Sequence, residues 1–217
     1  MKKIAILGTG MVGSTIGSKM IELGHEVMMG SRTISNEKTK AWVAANGTNA
    51  SKGTFADAAA FADLIFICTK GEVTLEMLRS ANVNNFNGKT VIDISNPLDF
   101  SKGMPPILIP EYCNTNSLGE EVQKLLSKAN VVKTLNIVNC LIMVDAKKSA
   151  GDPTMFVCGN NAAAKEEVTG ILHQFGWNDI IDLGDISTAR GTEMLMPIWL
   201  RTWMATGIGH FAFKVIK

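Results

Sequence analysis

Four apolar residues, Ile4-Ala5-Ile6-Leu7, run directly into Gly8-Thr9-Gly10-Met11-Val12-Gly13, and this junction restricts the fold more than any other part of the chain. A short continuous apolar run reads as a strand covered on both faces, as in a parallel sheet. Val12, Ile16, Met20 and Leu23 then recur at helical spacing, and Gly24 stands where a left-handed helix stop is wanted. A second strand is expected at Val27-Met28-Met29. Strand, G-x-G-x-x-G and helix in that order bring backbone amides and a helix N-terminus up to a pyrophosphate. Gly8 is expected to make the tight turn, Gly10 to leave room for the diphosphate and Gly13 to let the helix lie against the strand, with Gly17 extending that approach by a turn. The glycine pattern alone also describes ordinary tight turns, so the flanking strand and helix carry the reading.

The end of the second strand selects the dinucleotide. NAD sites place an Asp or Glu about 20 residues past the glycines, where it accepts from the adenosine ribose hydroxyls. Here the chain offers Ser31, Arg32 and Thr33, while Glu26 precedes the strand and belongs to the opposite edge. A guanidinium with two hydroxyls suits a 2′-phosphate in geometry and charge, and no carboxylate repels it. The cofactor expected is NADP.

Strand and helix signals alternate onward in the manner of a doubly wound sheet. Ser35 is positioned to cap a helix ending near Gly47, and Thr54 with Asp57 forms a capping-box-like start. Further strands are expected at Leu64–Cys68, Thr90–Ile94, Val131–Leu135, Thr154–Cys158 and Ile180–Leu183, with helices at 72–80, from Ser117, and at 162–175. Residues 98–116, rich in proline, read as a long irregular excursion of the kind that covers sites, and a helical tail is expected from Ser187 to the end. The fold expected is α/β, a Rossmann-type doubly wound, mainly parallel sheet with a small C-terminal strand-helix appendage. Its units are an NADP-binding domain at 1–136 and an appendage at 137–217 that extends the sheet and closes the cleft.

Composition excludes several other classes. Twenty-one Lys and Arg stand against 20 Asp and Glu, so no basic footprint for nucleic acid exists. Cys68, Cys113, Cys140 and Cys158 show no C-x-x-C pairing, which argues against a zinc site or a redox couple; they are expected reduced and mostly buried, and no metal is expected. Arg201, His210, Lys214 and Pro197 interrupt the most apolar late stretch, so no membrane span is expected. The first strand begins too early to leave room for a signal peptide, and the expected location is cytoplasmic.

The ordered set of Gly8 to Gly13, Gly30-Ser31-Arg32, Asp93-Ile94-Ser95-Asn96-Pro97, Val132-Lys133-Thr134-Leu135-Asn136 and Asp182 to Arg190 covers nearly the whole chain. It resembles the deazaflavin (coenzyme F420)-dependent NADP reductase family, which also includes the cytoplasmic reductase domains of six-transmembrane ferric reductases. The resemblance implies that Thr9, Gly10, Met11 and Val12 form the phosphate loop and that Ser31 and Arg32 meet the 2′-phosphate. It also implies hydride transfer between NADPH and a flavin-like acceptor. Asn136-Ile137-Val138-Asn139 stands where archaeal members carry His and Pro, and is similar to the ferric-reductase branch. Deazaflavin, flavin and another small redox acceptor therefore stand side by side as second substrates.

Hydride passes directly between two rings held in contact, so positioning matters more than acid or base, and no catalytic side chain is assigned. His25, His173 and His210 read as surface or packing residues. The cleft candidates are strand-end residues: Thr69, Lys70, Asn96 and Asn136 for the cofactor, with Pro97, Val138, Asn139 and Cys140 nearby. Met194, Met196, Trp199 and Trp203 read as a homodimer interface, with an acceptor-pocket wall or the monomer's own core as the other readings. Two rival functions remain: reduction of a small hydroxy-acid or imine substrate, and NADPH sensing without turnover. The first rival calls for a large helical domain with a catalytic lysine, and about 80 residues after Asn136 are few for that.

Overall fold

The computed structural model describes residues 1–216. The first apolar run becomes β1 (Lys3–Leu7), with Ile4 to Leu7 wholly buried. After it come α1 (Met11–Glu22), β2 (Glu26–Ser31), α2 (Glu37–Asn46), β3 (Ala50–Thr54), α3 (Phe55–Phe61), β4 (Leu64–Ile67), α4 (Gly71–Ser80) and β5 (Thr90–Asp93). A small hairpin of β6 (Leu98–Asp99) and β7 (Ile107–Leu108) leads to α5 (Leu118–Leu125), β8 (Asn130–Lys133) and α6 (Cys140–Met143). The chain continues through β9 (Thr154–Gly159), α7 (Ala162–Gln174), β10 (Asp179–Asp182), α8 (Ala189–Met194) and α9 (Met196–Thr206).

Eight strands form one sheet in the order β10-β9-β8-β5-β4-β1-β2-β3. Every pairing is parallel except β8 with β9, where Val132 faces Gly159 and Lys133 faces Cys158. Strand side chains alternate between the two faces. Ile4, Ile6, Leu64 and Phe66 join the layer with α1, α6 and α7, and Ala5, Leu7, Ile65 and Ile67 join the layer with α3, α4 and α5. The doubly wound architecture expected from the sequence is the one found.

Several local expectations need correction. Asn36, not Ser35, caps α2, its Oδ1 accepting from the Lys38 and Thr39 amides. A strand, β3, lies where the polar segment Ala50-Ser51-Lys52-Gly53-Thr54 gave no apolar run, because an edge strand needs only one well-covered side. Thr54 and Asp57 do form a reciprocal capping box, a device worth about 1 kcal/mol. The excursion at 98–116 holds the β6–β7 hairpin, so it is less irregular than its prolines suggest. Strand β8 stops at Lys133 instead of Leu135, since Leu135 turns into the left-handed region at φ +60°. The tail is not helical to its end: α9 stops at Gly207 in the left-handed conformation, and the following segment lies beside β9, with Phe213 O accepting from Thr154 N at 2.9 Å. All four cysteines are free, but only Cys158 is buried outright and the other three are half-buried. Among the described residues no helix is long and apolar enough to cross a membrane.

Candidate functional site

The carboxyl ends of β1, β2, β4, β5 and β8 share one edge of the sheet, and the glycine turn sits at its middle. Gly8 has φ +136°, and a Cβ there would lie 2.6 Å from the Cys68 carbonyl oxygen, so neither the backbone angle nor the space admits a side chain. A Cβ on Gly13 would stand 2.2 Å from Gly8 O, which fixes how closely α1 approaches the turn. Gly17 keeps α1 close to β1, with Ile6 3.4 Å from where its Cβ would stand, and also gives room to the Trp42 ring of α2, which comes still nearer at 2.8 Å. Gly10 faces open space and caps α1 without a side-chain acceptor, and no acidic residue occupies the first turn. The leading amides of α1 therefore lack an intrahelical partner in a place that is free of negative charge, which is what an anion requires.

Gly8, Thr9, Gly10, Ser31, Arg32, Asn36, Thr69 and Lys70 line a groove of about 290 Å³. Arg32 is exposed and forms no ion pair among the described residues. Ser31 is buried, and its hydroxyl donates to Thr33 O at 2.6 Å, so it holds the turn that presents Arg32. Beyond Arg32 a cavity of about 150 Å³ lies between Phe55, Val73 and Met77. Thr69 shares a 2.9 Å contact with the Thr74 hydroxyl, and the Lys70 ammonium stands 5.2 Å from the Phe100 ring centre.

Cys68, Thr69 and Lys70 line both this groove and a second cavity of about 250 Å³, so the two spaces adjoin at these residues and are together called the cleft. Its walls are largely apolar, with Val12, Ile94, Leu98, Phe100, Val138, Met143 and Met196, and its polar floor includes Asn96 and Asn136. The two amides bind each other: Asn96 Nδ2 donates to Asn136 O at 2.8 Å, and Asn136 Nδ2 donates to Asn96 Oδ1 at 2.8 Å and to Thr192 O at 3.1 Å. Burial, reinforced by the Asp93 charge, pushes the Cys68 thiol far above its usual range, so it faces the cleft protonated.

Behind this floor lies a group that the sequence reading missed. Lys133, Asp93 and Glu193 are fully buried, with the ammonium 2.9 Å from Asp93 Oδ2 and 2.7 Å from Glu193 Oε1. Burial opposes the charge on Lys133, but the two carboxylates outweigh it and hold the lysine above its ordinary value; burial raises Glu193. A lysine between Val132 and Thr134 in a strand read as buried was the available signal.

Every proposed cofactor residue except Met11 and Gly13 lines the cleft: Met11 points into solvent and Gly13 packs under the loop, so either would act through its backbone. Val138 reaches the cavity, while Asn139 caps α6 and Cys140 packs toward the core. No histidine lines the cleft; His25 borders a separate depression near Lys2, and the His173 ring meets Trp177 O. Met196 joins the cavity wall, Trp199 packs with Leu98, Phe211 and Phe213, and Met194 and Trp203 are exposed. Leu98, Phe100, Met143 and Asn36 were not foreseen, because positions in the small hairpin, in loops and in helices lack the strand-end logic that found the others.

Residues 3–97 match the family model described as NADP oxidoreductase, coenzyme F420-dependent. The F420-dependent NADP reductase of Methanocaldococcus jannaschii is 29% identical over 210 residues, covering 90% of each chain. A solved structure from Arthrobacter sp. FB24, assigned as an F420-dependent NADP-reductase, is 46% identical over the whole of both chains with a TM-score of 0.94. The chain belongs to the F420-dependent NADP oxidoreductase family. It is an NADP-dependent oxidoreductase. The metalloreductase STEAP3 of Rattus norvegicus is 24% identical across 99% of this chain, which spans 42% of that relative's length. Both resemblances that the sequence motifs carried thus have a counterpart among the relatives of this chain.

Proposed function

We propose that the protein transfers a hydride between NADPH and a deazaflavin of the F420 class. The observation that carries this reading is the pair of adjoining spaces, one at the glycine loop and Arg32 and the other an apolar cavity floored by Asn96 and Asn136, which share Cys68, Thr69 and Lys70. In this reading the α1 amides receive the diphosphate, Arg32 pairs with the 2′-phosphate, and the slot between Arg32, Phe55 and Val73 takes the adenine. NADPH supplies the hydride when bound, leaving NADP⁺, and the reduced deazaflavin takes a further proton from solvent. The protein's part is to hold one ring against the other and to keep water away with Leu98, Phe100, Met143 and Met196. Residues 1–136 would bind the dinucleotide, and 137–217 would close the cleft through Val138, Met143 and Met196. Exposed Ile198, Trp203 and Met204 on α9 support a homodimer through that helix, which light scattering tests.

The deciding experiment offers NADPH with F420, free flavins, a ferric chelate, and keto and imine compounds in turn. Preferred oxidation by F420 is expected. Turnover with only keto or imine compounds overturns the proposal, and so does tight NADPH binding with no acceptor at all.

A further inference from the structure

We propose that Lys133 is a positioning residue for hydride transfer, keeping the ends of β5 and β8 and the last turn of α8 in one frame so that Asn96 and Asn136 hold fixed places in the cleft. The inference rests on the hydride-transfer reading above. Lys133 does not line the cavity, so its influence must pass through its partners.

Its ammonium has three donors and three acceptors: Asp93 Oδ2 at 2.9 Å, Ser95 O at 2.6 Å and Glu193 Oε1 at 2.7 Å. Each acceptor reaches the cleft floor through one neighbouring residue or one hydrogen bond. Ser95 directly precedes Asn96. Asp93 Oδ1 holds Ser95 twice, accepting from its amide at 2.9 Å and from its hydroxyl at 2.6 Å. Glu193 directly follows Thr192, whose carbonyl accepts from Asn136 Nδ2. Glu193 also receives the Leu118 and Gly119 amides at 2.9 and 3.0 Å, which ties the start of α5 to the same point.

Between Lys133 and Asn136 the chain passes through buried Leu135 at φ +60°, a conformation that a leucine keeps only when its surroundings overdetermine it. Lys133 on one side and the Asn136 amide bonds on the other supply that constraint. Stability alone explains the cluster poorly. Two carboxylates and one ammonium fully out of water are commonly no better for stability than apolar side chains of the same size. What the ions add is direction, because each hydrogen bond has one place to go.

The test compares the parent protein with Glu193→Gln and Lys133→Met, each studied well below its own Tm. NADPH affinity, single-turnover hydride transfer to F420, and the fluorescence anisotropy of bound NADPH, which reports how firmly the nicotinamide is held, are measured together. The expected result is NADPH affinity within twofold of the parent, transfer slowed at least tenfold, and lower anisotropy. Parental transfer rates in folded variants overturn the proposal, as does a loss of affinity that parallels the loss of rate. If Lys133→Met does not fold, Glu193→Gln decides by itself, since it leaves the Lys133–Asp93 pair intact. A parent protein that reduces no F420 counts against the functional reading, while anisotropy still tests the positioning.

Discussion

Asn96 and Asn136, 40 positions apart in the chain, close a two-bond ring at the ends of adjacent strands, each amide nitrogen donating to the other residue at 2.8 Å. The bonds in this ring and to Thr192 leave the Asn136 side-chain oxygen as the pair's acceptor available to a ligand. Asn136→Ala strands the Thr192 carbonyl and the Asn96 oxygen, at a cost of about 1–3 kcal/mol. The expected outcome is a lower Tm and hydride transfer slowed at least tenfold, with NADPH affinity changed far less, read by calorimetry, stopped flow and titration.

Arg32→Ala should remove the charge that distinguishes the two dinucleotides. A charge-assisted contact to phosphate is worth about 1.5–3 kcal/mol, so NADPH should weaken about tenfold to a hundredfold while NADH stays within about twofold. Parallel titrations with both nucleotides check it. Equal affinities in the parent protein would show that the groove does not recognise the 2′-phosphate.

Two glycines of one motif should fail in different ways. Gly10 has φ −80° and open space around its missing Cβ, so Gly10→Ala should keep its Tm within about 2 °C of the parent and still lose NADPH affinity tenfold or more. Gly13→Ala puts a methyl 2.2 Å from Gly8 O, so at least 2 kcal/mol, or about 4–8 °C of Tm, should be lost before any ligand is added. Melting curves with and without NADPH separate the two.

Arg190 donates to Glu120 at 2.8 and 2.5 Å, and those bonds hold the Glu120 carboxyl below its ordinary value of 4.5, against the opposing effect of burial. A depressed folded-state value means that the contribution is complete above the unfolded value and is lost as pH falls through the folded one. Both groups are partly exposed, so solvent screens the pair and its contribution is small. Arg190→Ala should lower Tm at pH 7 and leave it nearly unchanged in acid, where the parent has already lost the contribution.

Phe100 forms one wall of the inner cavity from the hairpin side. Phe100→Ala should raise the KM for the acceptor about threefold to tenfold, in line with roughly 1 kcal/mol of lost apolar contact, and leave the KM for NADPH unchanged. Steady-state kinetics with each substrate varied in turn decide it.

The dinucleotide half was legible because it obeys local rules: β1 is apolar from Ile4 to Leu7, its turn needs a glycine at positive φ, and α1 repeats at helical spacing. Strand ends likewise pointed to Asn96 and Asn136, since the carboxyl edge of a parallel sheet is where such residues converge. Elements that depend on distant partners were not legible. β3 is defined by pairing with β2, the path of 208–216 by its bonds to Thr154 at the start of β9, and Glu193 by a lysine 60 positions earlier. Their sequences carry no period or cap that would announce them.

The β6–β7 hairpin joins Leu98 to Leu108 and Asp99 to Ile107 and takes no place in the main sheet, yet it carries Leu98 and Phe100 into the cavity. Substitutions there meet neither the glycine loop nor the sheet core, which gives evolution a place to change the electron acceptor while inheriting the nucleotide half unaltered.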